Sequence, residues 1–300
     1  VTDPVVAFES VTVRYGRTTA TDGVTFEVPR GSVYALLGRN GAGKSSLVRC
    51  LLGEQKPTRG EARLFGHPVW GTRTAAMARI GVVPEEPDIP PEMTAAGVAA
   101  FCAKLYRSWD DDGVRRRLAR FDVPTEVHVA KLSKGQKGQL ALALALGPSP
   151  ELLVLDDPTL GLDAVARREL FEELVGELAD RGTTVILATH DLAGVERIAD
   201  RVGVLAGGRL VIDEGLEALK GRFRRVRLGA DLEVARRKLA DFGLVAATAG
   251  GFAPEAVISR FDEGAFTAWA GRDVEPPEAS GMSLEEIFIA VHERGDGRPS

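Results

Sequence analysis

The sequence predicts an α/β protein in which buried strands are covered by helices. Three runs, at residues 33–37, 152–155 and 184–188, the last apolar after its opening Thr184, have the length and apolarity of strands buried on both faces. Between the second and third runs, residues 167–178 carry Leu170, Phe171, Leu174, Val175 and Leu178 at helical spacing. A strand–helix–strand order of this kind builds a layered sheet with parallel strands.

The elements follow in chain order. Residues 5–13 alternate apolar and polar side chains, and residues 24–28 repeat the pattern, as half-buried strands do. The run at 33–37 ends in a glycine loop and passes into an apolar helix over 44–52. Residues 79–84, Arg-Ile-Gly-Val-Val-Pro, read as a strand stopped by proline. Residues 93–121 are helical in character, and Ser133-Lys134 opens a further helix that runs to Leu146. These helices, about 86–147, interrupt the strand–helix plan and read as an inserted helical subdomain. A composition shift at Lys220-Gly221 separates a domain of residues 1–220 from a small α+β appendage, 221–300. In the appendage, Arg alternates with apolar residues over 223–228, 232–239 reads as helix, and 244–270 reads as short strands around glycines. Ser283 with Glu286 three residues on forms a capping box for a last helix, and the tail 295–300 reads as disordered.

Composition narrows the functions. With 44% hydrophobic and 27% charged residues the chain is globular, and 300 residues can bury a sizeable core. A net charge of −5 disfavours nucleic acid as a partner held by overall charge. The arginines at 222, 224, 225 and 227 read as a strand with one solvated face, so no nucleic-acid partner is expected. Two cysteines, Cys50 and Cys102, exclude a disulfide scaffold and a cysteine-built zinc site. The most apolar stretch, 140–146, is broken at Gly147-Pro148, and no leader pattern opens the chain. The chain is expected in the cytoplasm, reaching a membrane only by docking on another protein. His67, His128 and His292 have no motif context and read as surface residues.

The chemistry starts at Gly38-Arg39-Asn40-Gly41-Ala42-Gly43-Lys44-Ser45, which fits G-x-x-x-x-G-K-[ST], followed by Ser46. The glycines let successive backbone N–H groups curl toward one anion, and the helix N-terminus adds its dipole. Lys44 is placed to reach the β- and γ-phosphates, and Ser45 offers a hydroxyl to Mg2+. The run at 152–155 ends in Asp156-Asp157. A carboxylate at the end of a buried strand has few structural uses; Asp156 fits the role of holding Mg2+ through water, and Asp157 would sit next to the γ-phosphate.

With Leu132-Ser133-Lys134-Gly135-Gln136, the chain resembles the ATP-binding subunit of an ATP-binding-cassette (ABC) transporter. The pentapeptide is similar to the family signature LSGGQ, with Lys134 in third place. The resemblance covers about residues 5–220 and implies a P-loop NTPase cassette, with a RecA-like α/β core, N-terminal antiparallel strands and the helical subdomain. It implies that Tyr15 stacks on adenine. It implies that Ser133, Gly135 and Gln136 bind the γ-phosphate of ATP held by a second cassette, identical or not, and that Asp163 lies in the loop crossing that interface. His190, in Leu187-Ala188-Thr189-His190-Asp191, matches the switch histidine that contacts the γ-phosphate. ATP and Mg2+ are the implied ligands, and a separate membrane permease the implied partner. That would set the chain on the cytoplasmic face of the cell membrane. Residues 105–110, the lysine in the signature and a terminal Ser-Leu-Glu-Glu-Ile-Phe resemble bacterial exporters of drugs, peptide antibiotics or lipid-like substrates.

Three departures from the family pattern bear on the chemistry. Arg39 replaces a common proline and still supplies its backbone. Glu85 stands where most members have a magnesium-ligating glutamine. Asp157 stands where most carry the glutamate that polarises the attacking water, which puts turnover rate in question and leaves ATP binding intact. Two other readings remain open: a soluble ABC-type ATPase not coupled to transport, and a protein that dimerises on ATP with little hydrolysis.

Overall fold

The computed structural model describes residues 3–227, 239–248, 254–270 and 277–295. The chain divides into two compact units, Val1–Asp213 and Glu214–Ser300. The composition shift at Lys220-Gly221 falls inside helix α8 (Leu216–Arg222) of the second unit. Arg222 ties that helix to its own unit, donating Nε to Glu214 at 2.9 Å and Nη1 to the Ser259 carbonyl at 2.8 Å.

In the first unit, β1 (Val6–Tyr15), β2 (Thr18–Val28), β4 (Arg59–Leu64) and β5 (His67–Pro68) make an antiparallel sheet of order β2-β1-β4-β5. A second sheet has the order β10-β9-β3-β8-β7-β6, from β3 (Val33–Gly38), β6 (Ile80–Val83), β7 (Leu152–Asp156), β8 (Thr184–Thr189), β9 (Arg201–Ala206) and β10 (Arg209–Gly215). From β9 to β6 every neighbouring pair is parallel. β3 and β8 are buried at every position, which explains their largely apolar sequence. The two sheets share one core, in which Phe8, Phe26 and Tyr34 stack in series with ring centroids 4.7 Å apart.

Helix α1 (Lys44–Leu51) follows β3, and α2 (Val69–Met77) precedes β6. Between β6 and β7 lie α3 (Ala95–Leu105), α4 (Asp111–Arg120) and α5 (Lys134–Leu146). The helical stretch read over 93–121 is therefore two helices, each with its own cap. Thr94 accepts from Gly97 N at 3.0 Å, and Asp110 accepts from Gly113 N at 2.9 Å. Trp109, in the break, lies where a side chain at Gly147 would have to be. Helix α6 (Ala164–Arg181) joins β7 to β8, and α7 (Leu192–Val195) follows β8. Among the described residues no helix is long and apolar enough to cross a membrane.

One ion-pair cluster braces the start of the sheet. Glu151, just before β7, accepts from Arg79 Nε at 2.6 Å, Arg79 Nη2 at 2.8 Å and Arg30 Nη1 at 2.9 Å. Hydrogen bonding to Arg79 comes first among the causes that hold its carboxyl down to about 2, against an ordinary value of 4.5. A depressed carboxylate stabilises the fold above its unfolded value and stops doing so as pH falls through its folded value. Glu151→Gln is therefore expected to flatten the loss of stability between about pH 4.5 and 2, read by urea unfolding at several pH values. The effect is small, because solvent screens the half-exposed pair.

The second unit holds β11 (Arg224–Arg227), β12 (Leu244–Thr248), β13 (Glu255–Ile258) and β14 (Glu278–Ser280) in an antiparallel sheet of order β12-β13-β11-β14. β11 is internal, and its arginines are occupied: Arg225 pairs with Glu286 at 2.9 Å, and Arg224 lies over the Phe261 ring. The stretch 244–270 is not strands throughout, because Glu263–Ala270 is helix α9. Its Phe266 and Ala270 are buried four residues apart, and Asp262 accepts from Ala265 N at 2.8 Å. Phe242, Phe261, Phe266 and Trp269 pack as an aromatic cluster beneath the sheet. Ser283 and Glu286 cap α10 (Leu284–Gly295) reciprocally, at 2.8 and 3.2 Å. His292 is not a free surface residue: it is half-buried, its ring tilted against that of Phe288 with centroids 4.0 Å apart, and its Nδ1 is 2.9 Å from the Phe288 carbonyl. The helix read over 232–239 and the tail read over 295–300 lie outside the described residues, except Leu239 and Gly295.

Candidate functional site

The loop from β3 to α1 is shaped by its glycines. Gly41 has φ +80° and Gly43 φ +107°. A Cβ at Gly43 would stand 2.5 Å from the Ala20 carbonyl oxygen and 2.7 Å from Thr21 Cγ2, so β2 presses the loop from one side. Lys44, the first residue of α1, is buried and donates from Nζ to the Gly38 carbonyl at 2.8 Å. Burial lowers its pKa, and the carboxylates of Asp157, Asp156 and Glu85 oppose that shift without cancelling it. An anion placed in the loop would add to the side that keeps it charged.

The facing wall comes from β7 and β8. Their register sets Asp156 opposite Ala188. Ser45 Oγ donates to Asp156 Oδ1 at 3.2 Å. Burial raises the Asp156 pKa, the Ser45 bond lowers it, and the carboxylates of Glu85 and Asp157 push it up further. Asp157 steps off the strand at φ +50°, with its N–H on the Ala188 carbonyl at 2.7 Å. Its Oδ1 accepts from Thr189 Oγ1 at 3.1 Å, and its Oδ2 lies 2.7 Å from His190 Nδ1. Asp157 is buried and His190 is exposed.

These groups enclose a cleft of about 450 Å³. Asn40 through Ser46 form one side, and Glu85, Asp156, Asp157 and His190 the other. Tyr15 stands exposed, its hydroxyl 3.5 Å from Ser46 Oγ. Among the described residues no group of three or more His, Cys, Asp or Glu could hold a metal ion. The Ser45 hydroxyl and Asp156 carboxylate are hard oxygen donors of the kind magnesium takes, with the remaining ligands left to phosphate and water.

The remaining motif residues lie elsewhere, as their assignment to a second cassette's ATP requires for the signature and Asp163. Ser133, Gly135, Gln136 and Asp163 are absent from the cleft lining. Ser133 caps α5: its Oγ accepts from Gln136 N at 3.1 Å, and Gln136 Oε1 accepts from Ser133 N at 3.0 Å. Asp163 caps α6, accepting from Val165 N at 3.0 Å and Ala166 N at 2.9 Å. The two caps adjoin, since a Cβ at Gly135 would stand 3.4 Å from Leu162 Cδ2. Tyr15, Arg39 and Gly38 are likewise outside the lining, although Tyr15 reaches toward Ser46 and the Gly38 carbonyl holds Lys44. Sequence reasoning gave no part to Thr189, which grips Asp157, or to Ala20 and Leu160, which complete the cleft wall. Thr189 lay inside a quoted motif, but its contact depends on strand register, which the motif does not carry.

Comparison with known proteins agrees with this geometry. The family described as ABC transporter matches residues 21–160. The chain is 36% identical over 225 residues to the Nod factor export ATP-binding protein I of Paraburkholderia xenovorans (strain LB400), covering 71% of this chain and 72% of that protein. Among solved structures, an ATP-binding subunit of an ABC transporter is 27% identical, with a TM-score of 0.65 over 79% of this chain and 99% of the other. A dimeric ATP-binding cassette in a post-hydrolysis state, bound to ADP and Pi, shares the fold at 23% identity and a TM-score of 0.63 over 70% of this chain and 98% of the other.

Proposed function

Because the chain belongs to the ABC transporter family as an ATP-binding subunit, we propose that it hydrolyses ATP between two cassettes to drive a separate membrane permease. The observation that carries this is the split of its motifs. One set lines the cleft, while Ser133, Gly135, Gln136 and Asp163 adjoin one another outside its lining. A second cassette set head to tail would bring its Ser133–Gln136 helix start to the γ-phosphate, with the dipole of α5 behind it.

Each residue then has a task. The N–H groups of Asn40–Ser46 cradle the phosphates, and Lys44 sets a full charge on the β- and γ-phosphates. Tyr15 offers its ring to the adenine. Ser45 and Asp156 hold Mg2+, with Glu85 as a further oxygen donor. The ion, when bound, neutralises charge on the phosphate oxygens. Asp157 orients the attacking water and His190 stands beside it at the γ-phosphate side. Loss of the shared phosphate removes what joins the two cassettes, so they part. We assign the chain to the cytoplasmic face of the membrane and to export of a drug, peptide antibiotic or lipid-like cargo. The export relative and the lysine-bearing signature support that choice. A second reading, an ATP-dependent dimer with little turnover, is favoured by the short carboxylate of Asp157, one methylene below the glutamate most members carry.

The test is Ser133→Arg. It should abolish phosphate release under saturating MgATP while ATP affinity of the single chain stays nearly intact. Equal loss of binding and turnover would mean that Ser133 serves only the fold of its own chain, as the cap of α5.

A further inference from the structure

We propose that Thr189 is a positioning residue for hydrolysis, its buried hydroxyl fixing the carboxylate of Asp157 toward the attacking water. The inference rests on the assignment of Asp157 given above.

Thr189 closes β8 and is fully buried. Its Oγ1 accepts the backbone N–H of Asp191 at 3.0 Å and stands 3.1 Å from Asp157 Oδ1. A hydroxyl carries one proton, and an ionised carboxylate can only accept. With the Asp191 amide supplying its own proton, the hydroxyl proton goes to Asp157. The bond is therefore directed, and the β-branched side chain keeps it so, since χ1 of threonine has few choices.

Asp157 needs such a hold. At φ +50° its backbone occupies the left-handed region that residues with a Cβ seldom take. Three consecutive residues of the neighbouring strand end grip it there: the Ala188 carbonyl, the Thr189 hydroxyl and the His190 ring. The His190 ring is 52% exposed, so its hold on Asp157 is open to solvent and to a nucleotide. Thr189 is the side-chain contact sealed from solvent. Each carboxylate oxygen accepts one bond and keeps a lone pair for water, so the grip leaves the group competent. A carboxylate one methylene short of glutamate has little reach to spare, and its direction matters correspondingly more.

The experiment uses the full chain with MgATP. Thr189→Val keeps the volume and branching and deletes the hydroxyl, while Thr189→Ser keeps the hydroxyl. The expected result for Thr189→Val is a fall in kcat of roughly ten- to a hundredfold, the scale of an angstrom-level misplacement. KM and ATP affinity should hold within about twofold, and Thr189→Ser should recover most of the rate. In an Asp157→Asn background, Thr189→Val should change the residual rate by less than about twofold, because both act through one group. If Thr189→Val turns over like the parent while Asp157→Asn is inactive, the positioning role is wrong and the assignment of Asp157 stands. If Asp157→Asn is itself as fast as the parent, that assignment falls and takes this inference with it. If the Val and Ser variants lose turnover and ATP binding together, Thr189 serves the folding of the strand end instead.

Discussion

Asp157→Asn is expected to bind ATP as the parent does and to lose almost all turnover, accumulating as an ATP-bound pair of cassettes. The substitution keeps size and removes charge, so the fold of the β7 end has no reason to change. What disappears is the acceptor proposed to orient water. The parent is itself expected to be slow. An aspartate carries its oxygens back by about the length of one C–C bond, ~1.5 Å, relative to glutamate. A misplacement of about 1 Å costs on the order of a hundredfold in rate. Asp157→Glu separates geometry from charge. Its longer side chain carries the carboxylate forward by one C–C bond, ~1.5 Å, into the position glutamate would take. The rate should hold or rise. Phosphate release measures the first variant's loss, and light scattering in MgATP measures the trapped pair. An Asn variant as fast as the parent would transfer the role to Glu85 or His190.

Lys44→Ala should abolish hydrolysis and weaken nucleotide binding strongly. Among the described residues, Lys44 is the only lysine or arginine that lines the cleft. It is buried, and its Nζ donates to the Gly38 carbonyl. Removing a hydrogen bond to a charged group costs about 1.5–3 kcal/mol, roughly ten- to a hundredfold in affinity. The loss in rate is larger, because charge also develops in the transition state. Fluorescent-nucleotide titration and steady-state phosphate release give the two numbers separately. Unchanged ATPase activity in this variant would remove Lys44 from the phosphate site.

Much of this was legible in the chain. Continuous apolar runs marked β3, β7 and β8, because strands buried on both faces admit no polar alternation. The glycine loop was legible because its backbone angles are open to few other residues. Other elements left fainter signals. β9 and β10 were passed over although Gly207-Gly208, both at positive φ, punctuate them. The helix at Glu263–Ala270 was read as strand because its aromatic residues suit either state; the Asp262 cap was the sign that decides. The contacts of Asp157 with Thr189 and His190 could not be read at all. They join residues 32 and 33 positions apart through a strand register that no local pattern encodes.

The order of strands in the larger sheet sets a timetable for synthesis. β8 lies between β3 and β7, yet it is made after both. Until residues 184–189 leave the ribosome, the strand bearing the glycine loop and the strand bearing Asp156 have no common neighbour. A nascent chain stopped before β8 can pair β6 with β7 and form the antiparallel sheet, but it cannot close the cleft. Such long-range pairing is slow to form and leaves strand edges bare meanwhile. Nascent chains arrested so that residue 189 lies just inside or just outside the ribosome should therefore differ sharply in their retention on immobilised ATP.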